Sequence, residues 1–484
     1  MKFIKKITLS HTSLKTKRYN NCGVSQTIKM VGISAIALEK LLARQKLPDF
    51  FGAEAVKPSY EGLSLCNIAS LAIDWLAPDA PTLSEEAASP AFNPELLGVS
   101  EITEAWKSWQ NQAPINHVVL LILDGFGYEQ LRSLADSKDA PSIAEACNSP
   151  QAFFMPATSV YPSTTVTALT SAATGYTPAQ HGMVGTSLYM REIGTIVNFI
   201  GFRPSIAPTR ASFPDSIFNP ETLLPIPNVY LRMEKAGIDV EIINFEQFKQ
   251  TSISRFTSAG AEAGTNGFKG YRTPSDAFAQ LRERLLAKSS HQKTFTYVYV
   301  PTIDSVSHRY GPLSSSYKAE IATLDFAIKK QLIEPLAGHQ DTVLLLTADH
   351  GQRYNPLENT LWLEEHPQLT QNLFAPITGE KRVRYLHLKH DKQDAVLDYI
   401  KQYFSEHFFA ITKSEAMELG LFGIAGKPLG MEAEDRIGDL LLISHKDWTC
   451  CQHITNEERL HTHLGVHAGL SRAEMLIPFL AYRF

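Results

Sequence analysis

The sequence predicts an α/β protein: a doubly wound, mostly parallel sheet with cap segments inserted into it. Three observations lead there. The runs "HVVLLIL" (His117–Leu123), "TFTYVYV" (Thr294–Val300) and "TVLLLT" (Thr342–Thr347) read as strands buried on both faces. Each ends abruptly in a polar segment: "DGFG", "PTIDSVSH" and "ADHGQ". Stretches of helical length separate the strands, as parallel neighbours require, because a tight hairpin cannot join them.

Residues 1–113 lack a strong pattern and are read as an N-terminal extension of unclear role. Their start, "MKFIKKITLSHTSLKTKRYNN", is basic without an apolar core and reads as a disordered arm. The following "MVGISAIALEKLLA" is interrupted by Glu39 and Lys40 and is too short to span a bilayer. "PTLSEEAASPAFNPELLG" (Pro81–Gly98) reads as a loop or linker. Helices are expected over Pro220–Ala236, Pro274–Ala287 and Ser315–Pro335, and two further strands over Asp239–Phe245 and Asp439–His445. The core should comprise 114–354 and 431–484, with an insertion at about 186–288. A small α/β cap subdomain should occupy 355–430, with the strand–helix–strand pattern "VRYLHLKH", "KQDAVLDYIKQYF", "FFAITKS".

Bulk properties exclude several functions. The 484 residues carry a net charge of −5, which argues against general nucleic-acid binding. No membrane span or signal peptide stands out. The five cysteines form no CxxC pair, which suits reduced thiols and a cytoplasmic location.

Ligands of a parallel sheet bind beyond the carboxyl ends of its strands. Three strands here end in acids and histidines: Asp124; Asp304 with His308; Asp349 with His350. Near the C-terminus "HTHLGVHAGL" adds His461, His463 and His467. Each alone has an ordinary reading as turn former, helix cap or surface histidine. Together they form an oxygen and nitrogen donor set suited to two divalent ions, Zn²⁺ first and Mn²⁺ second. If a helical turn begins after Pro301, Asp304 and His308 share a face at i and i+4.

The segment "YPSTTVTALTSAATG" (Tyr161–Gly175) supplies hydroxyls at the start of a helix that Gly175 stops. Unpaired N–H groups and the helix dipole there favour an anionic phosphate. Thr164 or Thr165 opens the first turn, and local reasoning does not choose between them.

These residues resemble the alkaline phosphatase superfamily, and within it the type I phosphodiesterase/nucleotide pyrophosphatase family. The matching blocks, in the family's order, are "VVLLILDGFGYEQL", "YPSTTVTALTSAATGYTPAQHGMVG", "YVYVPTIDSVSHRYGP", "LLLTADHGQ" and "GVHAGLSRAEMLIPFL". The resemblance implies an alkaline-phosphatase-like core. It implies Thr165 as nucleophile, nine residues before the Thr of the "TG" pair. It implies one ion on Asp304, His308 and His467, and another on Asp124, Asp349, His350 and the Thr165 oxygen. His463 is the fallback for His467, and His181 is read as supporting or structural.

The implied activity is hydrolysis of phosphodiester or pyrophosphate bonds through a phosphothreonine, on a small phosphodiester, nucleotide or phosphate-ester substrate. One departure bears on the substrate. The family's nucleotide enzymes carry an Asn a little after the "HG" motif, where this chain has Thr186, and its nearest Asn is Asn198. A monoesterase, phosphonate hydrolase or phosphomutase on the same site is the nearest alternative. A sulfatase is disfavoured because no C/S-x-P-x-R motif occurs. A non-catalytic metal- or phosphate-binding protein would be expected to lack a ligand or the nucleophile.

Overall fold

The computed structural model describes residues 22–135, 137–207, 212–289, 292–453 and 462–484, with the backbone alone for 22–31. The basic start and His461 lie outside the described residues. The core sheet has seven strands in the order Ala152–Thr158, Leu476–Arg483, Thr342–Thr347, His117–Leu123, Thr294–Val300, Asp239–Phe245 and Phe268–Tyr271. The five from Thr342–Thr347 to Phe268–Tyr271 are mutually parallel, whereas Leu476–Arg483 runs antiparallel to both its neighbours. The three strands first read from the sequence are adjacent, and every residue in them is buried. Their register aligns His117 with both Thr294 and Thr342, so their carboxyl ends open at one level on one side of the sheet.

A second sheet of seven strands is antiparallel throughout. Its order is Phe408–Thr412, Leu440–Ser444, Val383–Leu386, Thr378–Glu380, Ser187–Met190, Thr195–Asn198 and Arg203–Pro204. The strand expected at Asp439–His445 therefore exists, but in this sheet and not in the core. An isolated five-residue apolar run carries no information about which sheet it joins. Residues 187–204 also enter this sheet, whereas Asp239–Phe245 and Phe268–Tyr271 widen the core sheet. The segment 186–288 thus contributes to both layers. The strand–helix–strand pattern of the cap appears as Val383–Leu386, helix Gln393–Tyr403 and Phe408–Thr412. Leu369, Leu386, Val396, Ile400, Phe404 and Leu442 bury a small core of their own there.

The helix expected from Pro220 starts later, at Val229, where the Asn228 side chain caps it by accepting from Leu231 N–H at 2.8 Å. Pro225 and Pro227 lack the amide hydrogens that an earlier start would use. The helices Pro274–Ala287 and Ser315–Ile328 lie where expected, the second continuing as a π-turn to Ile333.

The N-terminal extension is not an appendage. Helix Leu65–Leu76 is mostly buried in the main core, and helix Ser100–Gln110 buries Ile102, Trp106 and Trp109 there. Leu65–Ile73 is buried without interruption, Asn67 and Ser70 included, although Asn67, Ser70 and Asp74 recur at i, i+3 and i+7 on one helical face. The Pro81–Gly98 stretch is mostly irregular, as its composition predicts, yet Phe92 stacks on Phe479 at 4.0 Å. Among the described residues no helix is long and apolar enough to cross a membrane.

Leu121, fully buried in the middle of the core sheet, tests this packing. Leu121→Ala should cost about 2–5 kcal/mol, read as a lower urea midpoint with an unchanged m-value.

Candidate active site

The carboxyl ends of the three adjacent strands deliver the acids. Asp124 follows His117–Leu123, and its N–H donates to Val300 C=O at 3.0 Å. Gly125 must make the next turn, because its φ is +73° and an added Cβ would sit 3.1 Å from Asp304 Cα. Asp304 and His308 lie on helix Thr302–Tyr310 at i and i+4, with His308 Nε2 3.2 Å from Asp304 Oδ2. Asp349 and His350 follow Thr342–Thr347. Gly351 cannot carry a side chain, since its Cβ would fall 2.1 Å from Ala473 C=O.

His350 Nε2 lies 3.3 Å from Asp349 Oδ2 and 3.5 Å from Asp124 Oδ1. His467 Nε2 lies 3.8 Å from Asp304 Oδ1, and its ring stacks on His350 at 3.7 Å. Two groups of donor atoms each fall within 4.8 Å of one another: Asp124, Asp349 and His350; and Asp304, His350 and His467. The two groups contain Asp124, Asp304, Asp349, His350 and His467 of the expected ligands, with His350 in both, whereas His308 is in neither. His308 meets the cluster through Asp304. His463 lies beside His308, ring centres 4.3 Å apart, but its Nδ1 contacts Lys381 Nζ at 3.3 Å, and it is in neither donor group.

The histidines are held in one tautomeric sense. Nδ1 of His308 faces Gly465 C=O at 2.7 Å, Nδ1 of His467 faces Ser163 C=O at 3.0 Å, and Nδ1 of His350 faces Gly351 C=O at 3.1 Å. A carbonyl only accepts, so each Nδ1 carries the hydrogen. Each Nε2, turned toward the carboxylates, is the atom left to bind a cation.

The carboxylates are less well provided for. Tyr299 donates its hydroxyl to Asp124 Oδ2, and Gln352 donates Nε2 to Asp304 Oδ1. Asp349 Oδ1 accepts from the N–H groups of Gly125 at 3.1 Å and His350 at 2.9 Å. Asp124 Oδ1 and Asp349 Oδ2 are buried without any protein hydrogen-bond partner. Burial, then the charges of Asp349 and Asp304, push the Asp124 carboxyl well above its usual range. Burial chiefly raises Asp349 too, with His350 opposing. Burial also works against ionised Asp304, but His308 and His467 outweigh it and hold this carboxyl low. Two bare carboxylate oxygens facing unprotonated imidazole nitrogens fit divalent cations.

Thr165 is the first residue of helix Thr165–Thr174. It is the one residue of Tyr161–Gly175 that is not buried, whereas Thr164 is 1% exposed. Thr165 Oγ1 lies 3.3 Å from His350 Nε2. It forms the wall of a cavity of about 210 Å³ shared with Asp124, Asp304 and Tyr299. The cavity continues along Leu169 and Ala173 to Tyr230 and Tyr297, and no lysine or arginine is among the described residues lining it. Sequence reasoning passed over Tyr299 and Gln352. Tyr299 stands five residues before Asp304 in an otherwise apolar strand, and its hydroxyl was the available signal. Asn198 Oδ1 is occupied by Gly201 N–H at 2.9 Å, and neither Thr186 nor Asn198 lines the cavity.

His181 stands apart from the donor groups and is fully buried. Its Nδ1 accepts from Met183 N–H at 3.1 Å and its Nε2 pairs with Ser171 Oγ at 2.8 Å, tying the Thr165 helix to the following loop.

The type I phosphodiesterase/nucleotide pyrophosphatase family model matches residues 118–469, the span that contains every one of these donors and Thr165. The chain belongs to this family. It is a hydrolase of the phosphodiesterase/nucleotide pyrophosphatase type with an alkaline-phosphatase-like core. No curated protein sequence matches the chain. Among solved structures, phosphonoacetate hydrolase from Sinorhizobium meliloti 1021 in complex with phosphonoformate is similar over 75% of this chain and 89% of its own, with TM-score 0.55 and 17% identity. Murine ectonucleotide pyrophosphatase/phosphodiesterase 5 is similar over 75% of this chain and 87% of its own, with TM-score 0.51 and 16% identity. Its inactive variant in complex with AMP gives a TM-score of 0.52 at 15% identity over 75% of this chain and 87% of its own.

Two outcomes follow for this member of the family. Asp349→Asn removes a buried like charge, so the metal-free variant should melt higher than the metal-free parent at neutral pH. It should gain less from added Zn²⁺, with both effects read by thermal melts with and without chelator. Burial lowers His181 to about 3. Its folded pKa is depressed, so its contribution is present above its unfolded value of about 6.5 and declines as pH falls toward 3. His181→Gln should therefore flatten the acid limb of the stability–pH curve.

Proposed function

We propose that this family member cleaves phosphodiester or pyrophosphate bonds by attack of Thr165 Oγ1 on phosphorus, giving a phosphothreonine that water then hydrolyses. What supports this most is the position of Thr165. It opens a helix, it is accessible while Thr164 is buried, and it faces the cavity that the acids share. Asp124, Asp349 and His350 would hold one divalent cation and Asp304, His308 and His467 a second, with Zn²⁺ favoured by the mixed imidazole and carboxylate set. When bound, such a pair supplies Lewis-acid charge for the phosphoryl and leaving oxygens.

The chain's own residues do the rest. The first-turn N–H groups of helix Thr165–Thr174 have no partner within the helix and point toward where a phosphoryl oxygen would lie. Tyr299 and Gln352 fix the carboxylates of Asp124 and Asp304 by donating to them. Ser163 Oγ donates to Gly469 C=O at 2.9 Å while Ser163 C=O faces His467 Nδ1, so the loop before Thr165 and the loop bearing His467 are locked together. The cavity along Leu169 and Ala173 receives the organic part of the ester. In-line attack followed by in-line hydrolysis gives net retention at phosphorus.

The test compares bis-p-nitrophenyl phosphate with p-nitrophenyl phosphate, with Zn²⁺ or Mn²⁺ and with chelator. Diester turnover should exceed monoester turnover and disappear with chelator. Thr165→Ala should lower kcat at least about 10³-fold, while Thr164→Ala keeps most activity. Preference for the monoester, or for a phosphonate, would move the reaction while keeping the site. Full activity in Thr165→Ala would overturn the assignment of the nucleophile.

A further inference from the structure

The N-terminal segment 53–64 lies outside the family match, yet it is bonded to both loops that complete the site. Val56 N–H donates to Leu470 C=O at 2.8 Å, and Arg472 N–H donates to Glu54 C=O at 2.9 Å. Ala55 bridges Ser471 as an isolated antiparallel pair. This holds the loop that follows His467. At the other end, Ser59 N–H donates to Thr158 Oγ1 at 2.9 Å and Thr158 N–H to Leu63 C=O at 2.9 Å. Thr158 ends the strand from which the chain enters the Thr165 loop.

Between these anchors stands Tyr60, 1% exposed. Its hydroxyl accepts from Tyr161 N–H at 3.0 Å and donates to Leu421 C=O at 2.8 Å. Both bonds are buried, and burial keeps this phenol neutral, so it can give and receive at once. The Tyr161 amide is four residues before Thr165, at the head of a loop pinned further on by Ser163. Leu421 falls within the segment 355–430 but packs in the main core, and the neighbouring Phe422 ring packs 5.5 Å from that of Tyr161.

We infer that Tyr60 is a positioning residue for the reaction: its hydroxyl sets the loop that aims Thr165 and ties that loop to the Leu421 carbonyl, so that the N-terminal segment completes the active site. This rests on the reading of Thr165 as the attacking group. Tyr60 touches neither substrate nor reacting atoms. Removing its hydroxyl leaves the Tyr161 N–H buried and unpaired, and the loop relaxes away from the geometry in which Oγ1 faces phosphorus.

The experiment uses the full chain with metal and four variants: Tyr60→Phe, Thr158→Val, Trp106→Phe and Thr165→Ala. Tyr60→Phe should lower kcat at least about tenfold with KM changed less than about twofold. The peptide covering residues 159–165 should also exchange its amide hydrogens faster. Thr158→Val, which removes the acceptor for Ser59, should shift kcat in the same direction and stands in should Tyr60→Phe not fold. Trp106→Phe weakens the Trp106–Trp109 stack, whose rings lie 5.4 Å apart in the same N-terminal extension, and should cost stability without changing kcat. Parent kcat in Tyr60→Phe, or in Thr158→Val where that variant stands in, overturns the inference if Thr165→Ala is inactive. Equal losses of kcat in Trp106→Phe and Tyr60→Phe overturn it as well, since they would reflect general destabilisation. Activity in Thr165→Ala would instead overturn the reading on which the inference rests.

Discussion

Three carboxylates, Asp124 and Asp349 buried and Asp304 partly so, stand side by side beyond the ends of three neighbouring parallel strands, and the surrounding architecture answers to that constraint. Like charges in a region from which water is excluded repel strongly, and each also loses its hydration. The protein meets part of this cost itself, through the Tyr299 hydroxyl, the Gln352 amide, and the N–H groups of Gly125 and His350. The remainder is a cost that bound cations would offset. His308 is shifted upward: burial opposes its charge, and Asp304 more than restores it. His467, by contrast, is driven down by burial and by His350 and stays neutral. The same cluster that is costly when empty is therefore a strong reason for divalent ions to bind.

The second sheet is joined to this centre by another buried charge pair. Arg382, in the hairpin turn before Val383–Leu386, donates Nε to Glu474 Oε1 at 2.6 Å, with the side chains 2% and 0% exposed. Glu474 also accepts from Gly469 N–H at 2.8 Å, and Ser471 donates to it. The carboxylate thus organises the turn immediately after His467 while holding the cap. A buried pair of this kind adds little net stability, but it tolerates few alternative arrangements, which suits a joint that must be placed accurately.

Much of this was legible in the sequence. Continuous apolar runs ending in Asp or Asp-His announced the three central strands and the acids and histidines beyond their ends, because burial on both faces and a charged terminus are both written locally. The i, i+4 pairing of Asp304 and His308 followed from Pro301 opening a helix. The choice between Thr164 and Thr165 was not local. It depends on which side chain faces the cavity, and tertiary packing decides that. The helix Leu65–Leu76 was passed over although Asn67, Ser70 and Asp74 recur at i, i+3 and i+7 on one face, and the strand Leu440–Ser444 could not declare its sheet. Tyr60 and Tyr299 were illegible for a further reason. A tyrosine in an apolar setting looks like core until the partner of its hydroxyl is known, and both partners lie far away in sequence.

The strand Leu476–Arg483 lies between Ala152–Thr158 and Thr342–Thr347, antiparallel to both. It follows every other strand of this sheet in chain order, yet it occupies an interior place in the sheet. Until it emerges, Ala152–Thr158 has no neighbour through which to join the other strands. The Thr165 loop hangs from that strand and cannot be set before then. Synthesis therefore delivers the acid-bearing parallel strands early and withholds the piece that seats Thr165, leaving two apolar strand edges open on the nascent chain. Such edges are the surfaces that holdase chaperones bind and that misassembly exploits. Yield of this enzyme in a cell should depend on the protection of those edges during translation as much as on the stability of the finished fold.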